Sequence, residues 1–505
     1  MKNRRISRVN LLCTGMFFFL IAASLSLVNV LLLPYARSFH AYAALPVAGC
    51  ALAAFAGYGV LGRKLRETDE ARLVRLRNTA VPVYAAVLFA LQVLMGYLLE
   101  YVPAGDNFML YNGSELLARE GSFASMPDFG LYLARFSNQW GFLVVLTALW
   151  KLMALFGVQS LIMPVVVLQA ALYTLGIRSC LRIARRLRGV RGELMLLAML
   201  CTCLPLVIAA AVLYTDTFSL PFVLMGMDLA LCAAQEARRS RQLLYALLCG
   251  VVLLVGAQIK MTVLIVLIAA LVFWALTLKP VRAALLGALC TVIVAGGTFA
   301  FQQTVVGTII DPDVYAQQKT PLIHWVMMSI PTGNYPYGTY TGDYGPTWEM
   351  MDAGASREEV MNSIYTRMKD RIYTLRYPNR LMAALFRKNS VYMGDGTFGM
   401  TEMLDDTPVR ENVISRFVLS GRPYYGIYSA VCTGIFMAQL MLAAIGCLRD
   451  IRKRDTRAAM LYIALFGMML FLMLWEPRSR YLFGYVPLFL IAAATSAADM
   501  QRRQS

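Results

Sequence analysis

Residues 239–302 read RSRQLLYALLCGVVLLVGAQIKMTVLIVLIAALVFWALTLKPVRAALLGALCTVIVAGGTFAFQ, and this stretch decides the fold. Three apolar runs, 242–258, 261–277 and 283–302, follow one another. Only Ile259 and Lys260 separate the first two, and a short basic loop, 278–282, separates the second and third. A run of roughly 17–25 apolar residues is long enough to cross a bilayer core as a helix. A helix satisfies its own backbone polar groups where water is absent. Outward from this stretch the same pattern recurs at 10–34, 41–62, 80–100, 159–177, 194–213, 217–235, 424–447, 457–474 and 481–498. Only 15% of the residues are charged and 59% are hydrophobic, against about 25% charged in soluble domains. The chain therefore reads as an all-α polytopic membrane protein of about 12–13 transmembrane helices.

The net charge of +18 raises the question of a polyanion partner. Twenty-eight of the 47 Lys and Arg fall in seven short stretches: 2–8, 63–77, 178–191, 238–241, 279–282, 449–457 and 502–503. Each borders an apolar run, so the charge follows the positive-inside pattern and no nucleic-acid partner is implied. With the basic loops inside, 101–138 and 303–423 become long extracytoplasmic loops. The first run, 10–34, is too long for a cleaved signal segment and reads as a retained helix. Residues 140–157 are apolar enough to span, but spanning would place the six arginines of 178–191 outside, so a re-entrant or interfacial segment is expected. The domain reading is an N-terminal hairpin (1–62), a core (63–302) carrying the first outer loop (101–138), a large outer loop (303–423) and C-terminal helices (424–505). The protein is expected in the cell membrane, among membrane lipids, with its active site on the extracytoplasmic face.

Ten cysteines all lie in or beside apolar runs. None sits in the long polar loops where a disulfide framework or zinc site would be expected, so they read as small core residues. Aromatic residues near the run ends, Tyr132, Trp140, Tyr335 and Tyr337, suit an interfacial belt.

Ionisable residues stand out against this background, because charge inside or at the edge of a membrane is costly and tends to be functional or paired. Asp106 opens GDNFMLYNGSELLAREGSF, where it suits either an acid–base role or a helix N-cap. Asp216, in YTDTFSLP, lies between two runs and could likewise cap the next helix. Lys260, in AQIKMT, is placed either to hold a phosphate or to snorkel to the interface. Arg478 and Arg480, in LWEPRSRYLFGYVP, fall on the expected outer side. A guanidinium suits phosphate there; a local pairing with Glu476 or a lipid headgroup is the alternative. His324 sits in TPLIHWVMMSIPTG, where a lone histidine is more often structural, and His40 belongs to no constellation of candidate residues.

In their order, these segments resemble the GT-C glycosyltransferases. They are similar to the family 39-like bacterial relatives of protein O-mannosyltransferases and of the lipid A aminoarabinose transferase. The resemblance runs over roughly 80–495. It rests on GDNFMLYNGSELLAREGSF, YLARFSNQWGFLVVLTALWKLMALFG, LYTDTFSLPF, AQIKMTVLIVLIA, HWVMMSIPTG and EPRSRYLFGYVPL. Two departures stand out. Asn107 follows Asp106 where a second carboxylate is frequent, and Ser137–Asn138–Gln139 stand where a Pro-containing version is common.

The resemblance implies a GT-C-like bundle and an inverting transfer of a sugar from a polyprenyl-phosphate donor to an envelope glycan, lipid or protein acceptor. Asp106 would be the catalytic group, and Lys260, Arg478 and Arg480 would hold the donor phosphate. Asp216, His324, Asn138 and Gln139 would shape the site and the acceptor's place. No metal ligand set is implied, and a divalent metal remains open as a cofactor. A glycan polymerase or ligase, a lipid-linked glycan flippase or transporter, and a non-catalytic scaffold are the competing readings.

Overall fold

A computed structural model describes residues 2–32, 44–333, 337–340, 342–404 and 408–498. His40, Tyr335, Arg502 and Arg503 lie outside them. The described chain is all helical, with one isolated bridge between Tyr101 and Pro408. Its first helices are α1 (Lys2–Leu32), α2 (Ala44–Glu67), α3 (Glu70–Leu98), α4 (Asp106–Glu120), α5 (Pro127–Arg135), α6 (Trp140–Ala154) and α7 (Ile162–Cys201). Next come α8 (Leu220–Gln235), α9 (Arg239–Ile259), α10 (Leu264–Thr277) and α11 (Pro280–Phe301). After the large loop follow α12 (Tyr425–Lys453), α13 (Ala459–Leu474) and α14 (Val486–Ala498). Nine described segments are long and apolar enough to cross a membrane. Three shorter apolar helices, Trp140–Ala154, Met261–Thr277 and Ala459–Leu474, accompany them. At 1.5 Å per residue α6 reaches only about 22 Å, short of a hydrocarbon core of about 30 Å.

The segment 194–213 departs from the single span expected there. Helix α7 runs through 178–191 with a kink at Arg188 (φ −141°) and Gly189 (φ 66°) and stops at Cys201. Short helical pieces at Leu204–Ile208 and Ala209–Ala211 follow. Pro205 has no N–H to continue the ladder, and the freed groups are met by neighbouring helices. Gln92 donates to the Leu206 carbonyl at 2.8 Å and Gln169 to the Ala209 carbonyl at 3.0 Å, while Tyr58 and Thr202 share a 2.6 Å bond. At this break Cys201 is exposed, unlike the core position expected for it.

Helix α14 is the central post, with every residue buried, packed between α7 and α12. Its small residues, AAATSAA, let backbones approach closely. Gly446 of α12 faces Ser496, and a Cβ there would come within 2.8 Å of the serine Cβ.

One end of the bundle gathers the basic loops. Arg77 meets Glu193 at 3.1 Å, and Arg188 meets Asp450 at 2.7 Å and Asp455 at 3.1 Å. Arg182 pairs with Asp228, and Arg191 donates to the Leu65 carbonyl at 3.1 Å. Helix α9 starts in this basic end at Arg239 and ends beside Lys260. Its 21 residues carry the chain about 31 Å to the opposite, loop-bearing end.

At that end the stretch 303–423 is not wholly a superficial loop. A small core of Met327, Met351, Val360 and Ile364 holds its helices together. Residues 388–401 are buried, and the chain at 394–404 wedges against α12 and the turn before α14. Gly396 lies so close to the backbone of Cys432 and Thr433 that a Cβ could not be accommodated.

Candidate functional site: a carboxylate and three cations around one cavity

Gly105, at φ 55°, ends the chain leaving α3 and serves as N-cap of α4. Asp106 is therefore the first helical residue and not the cap. Its carboxylate is turned away from the helix. It accepts hydrogen bonds from the Tyr132 hydroxyl at 2.9 Å and the Tyr214 hydroxyl at 2.8 Å. Tyr132 comes from α5, and Tyr214 from the extended turn after the broken span. Gln139 steadies the second phenol, donating to its oxygen at 3.1 Å. Each Asp106 oxygen keeps a lone pair beyond these bonds.

Lys260 sits where α9 ends in an extended residue, and Arg480 sits at the start of the last span. Both converge on the buried Asp216. Lys260 pairs with one carboxylate oxygen, and Arg480 Nε lies 3.3 Å from the other. Tyr481 packs beneath Lys260, its ring centre 4.3 Å from Nζ, and Tyr214 lies 5.0 Å from the Arg480 guanidinium. Arg478 stands more loosely, 3.7 Å from Glu402, with Nε making no hydrogen bond among the described residues. The local pairing of both arginines with Glu476, open in the sequence, is not what forms. Glu476 instead accepts from the Tyr481 hydroxyl and keeps Oε2 without a hydrogen bond among the described residues. Burial pushes its carboxyl above the usual carboxylate range, against the pull of Tyr481 and Arg478.

These groups enclose a cavity of about 390 Å³, within the roughly 300–1,000 Å³ of small-ligand pockets. Asp106, Asn138, Gln139, Lys260, Arg478 and Arg480 all line it. Asp216 does not, and acts from behind Lys260 and Arg480. His324 does not line it either. Its imidazole is buried in the loop core, with Nδ1 3.0 Å from the Thr347 hydroxyl. Burial holds it down to about 4, so it is neutral near pH 7. Its bearing on the site is through Trp325, which it meets edge-on at 5.2 Å and which lines the cavity.

Several lining residues were not legible as site residues: Tyr214, Tyr481, Trp325, Trp475, Glu402 and Glu476. Glu402 is delivered by the turn at 394–399, GDGTFG. There Asp395 accepts from the backbone N–H groups of Thr397 (2.9 Å) and Gly399 (3.0 Å) and from the Ser479 hydroxyl (3.1 Å). Phe398 and Gly399 both adopt positive φ, at 55° and 54°. Three glycines around one aspartate were the available signal for a tight, buried turn. Asp106, Glu402 and Glu476 are each held by a phenol or guanidinium, and among the described residues no three metal-ligating side chains gather.

Fold and cavity together define a polytopic integral membrane protein with a charged, aromatic-walled chamber at one end. The family model described as a conserved hypothetical integral membrane protein matches residues 63–501. The chain belongs to that family. No curated protein shows significant similarity. Among solved structures the chain is similar to ArnT from Cupriavidus metallidurans bound to undecaprenyl phosphate. The identity is 12% over 82% of this chain and 77% of that one, at a TM-score of 0.34.

Proposed function

We propose that this protein is a membrane glycosyltransferase that moves a sugar from a polyprenyl-phosphate donor to an acceptor hydroxyl at the extracytoplasmic face. The observation that carries this reading is that one cavity is lined by Asp106 together with Lys260, Arg478 and Arg480. In this reading the donor phosphate lies among the three cations and its isoprenoid tail runs into the bilayer. The acceptor hydroxyl donates to a free lone pair of Asp106. Attack on the anomeric carbon forms the new glycosidic bond and breaks the carbon–oxygen bond to phosphate. The electron pair leaves on the phosphate, where fixed cations stabilise the added charge. The hydroxyl proton passes to Asp106. Attack from the face opposite the phosphate inverts the anomeric centre.

Asp216 explains how the cations are kept before lipid arrives. Two positive groups side by side in a water-poor pocket repel, and the shared carboxylate offsets that repulsion. Arg478, the most loosely paired of the three, is the group freest to turn toward an incoming phosphate.

Native mass spectrometry tests the reading. Wild-type protein in detergent should retain added polyprenyl phosphate, and the double variant Lys260→Met/Arg478→Met should retain at least about tenfold less, as expected for losing charge-assisted hydrogen bonds. Equal retention by both proteins would remove the cations from phosphate binding.

A further inference from the structure

The cavity has a second wall that the transfer chemistry above does not use. It is aromatic and continuous. Phe471, near the end of α13, stacks on Trp475 at 5.4 Å, and Trp475 on Trp325 at 6.5 Å. Trp325 meets Phe136 at 5.7 Å, and Phe136 meets Trp348 edge-on at 5.5 Å. Phe136 also lies 4.8 Å from Tyr132, the phenol that bonds Asp106. The wall therefore leads to the proposed base through a single tyrosine. Phe136, Trp325 and Trp475 line the cavity and are only half-buried.

What covers half-buried rings in a chamber can be judged from their setting. An isoprenoid chain needs an apolar path open to the bilayer. This wall starts at the end of a membrane helix and runs away from it, to the helices Leu322–Met328 and Tyr344–Asp352. Its far rim is polar. Arg135 lies over the Trp348 ring at 4.9 Å, is bonded to Gln318 at 3.3 Å and is paired with Asp352. Trp348 also spends its N–H on the Thr320 hydroxyl at 3.1 Å, and Thr320 lines the cavity. Rings edged by amide, hydroxyl and guanidinium groups suit a ligand that is apolar on its faces and polar at its rim. A pyranose is such a ligand, with C–H groups on one face and hydroxyls around the edge.

Resting on the glycosyltransferase reading, we infer that the Phe136–Trp325–Trp475 wall is the acceptor subsite and that the acceptor is a carbohydrate. A hexopyranose residue stacks its C–H face on Trp325 and directs one hydroxyl past Tyr132 to Asp106. The cations stay with the donor phosphate. Among acceptors of different chemistry, this selects a glycan over a protein side chain.

The test separates the subsite from the reading it rests on. Full-length protein in detergent is mixed with soluble tri- and tetrasaccharides of glucose, mannose, galactose and N-acetylglucosamine, in both anomeric linkages. Saturation-transfer NMR reads sugar binding, and native mass spectrometry reads retention of polyprenyl phosphate. Wild type should bind at least one oligosaccharide. Trp325→Ala should weaken that binding by about tenfold or more, the scale of one lost aromatic contact. Trp325→Phe, which keeps a ring and controls for folding, should stay within about threefold. Polyprenyl phosphate should be retained equally by all three. Absence of sugar binding by wild type, or equal binding by Trp325→Ala, overturns the subsite. Loss of polyprenyl phosphate in Trp325→Ala with retention in Trp325→Phe also overturns it, by assigning the wall to the lipid. Sugar binding that depends on Trp325, in a protein that retains no polyprenyl phosphate, leaves the subsite standing and removes the lipid-donor reading.

Discussion

The hydroxyl of Tyr214 donates a 2.8 Å hydrogen bond to the carboxylate of Asp106, joining residues 108 positions apart. This bond ties the turn after the broken span to the first residue of α4, so the carboxylate's direction depends on two elements distant in sequence. Tyr214→Phe should lower turnover by about tenfold and stability by about 1.5 kcal/mol, the range for a lost hydrogen bond to a charged group. Sugar transfer to acceptor and thermal unfolding, measured in parallel, check this. Unchanged turnover would mean that Tyr214 does not orient Asp106.

Asp216→Asn should destabilise the protein by about 3 kcal/mol, because it leaves Lys260 and Arg480 facing each other in a buried setting. Adding Lys260→Met should recover part of the loss. A double-mutant cycle by thermal unfolding reads the coupling, and strict additivity would show that Asp216 does not hold the two cations.

Gly141 on α6 touches the backbone of Gln258, two residues before Lys260, with no room for a Cβ. Gly141→Ala should cost about 1–3 kcal/mol by forcing the helices apart, and should reduce turnover because Lys260 moves with α9. Gly49, with nothing within 4 Å of an added Cβ, is the control. Gly49→Ala should be neutral or slightly stabilising.

His324 is fully buried and its ring is held down to about 4 from 6.5. A lowered folded-state value means that the unfolded chain binds the proton first. Stability from the neutral ring is then complete above about pH 6.5 and is lost as pH falls toward 4, by at most about 3 kcal/mol. Hydrogen exchange in the helices around Met327 and Ile364 should accelerate over that window, and His324→Gln should flatten the response. A window of the same size in the variant would assign it to other groups.

How far the sequence revealed the molecule follows from what each residue had to outweigh. Apolar runs announced the helices because bilayer crossing leaves few alternatives. The break at 202–205 stayed hidden because its compensation lies in Gln92 and Gln169, far away in the chain. Asp106, Lys260, Arg478 and Arg480 were visible because a charge among apolar residues is conspicuous. Tyr214, Tyr481 and Trp325 were not, since the chain holds 26 Tyr, 25 Phe and 6 Trp, most of which serve packing. Glu476 stood in the sequence only as an alternative partner for its neighbouring arginines. The tertiary fold instead gives Arg480 to Asp216 and Arg478 to Glu402, which no local spacing foretells.

The most direct test is turnover by purified protein supplied with polyprenyl-phosphate hexoses and oligosaccharide acceptors. Wild type should release polyprenyl phosphate and extend the acceptor with inverted anomeric configuration. Asp106→Ala should be slower by at least about 100-fold, the scale of losing an acid–base group. Turnover by Asp106→Ala at the wild-type rate, or no transfer by wild type from any of these donors, would contradict the account.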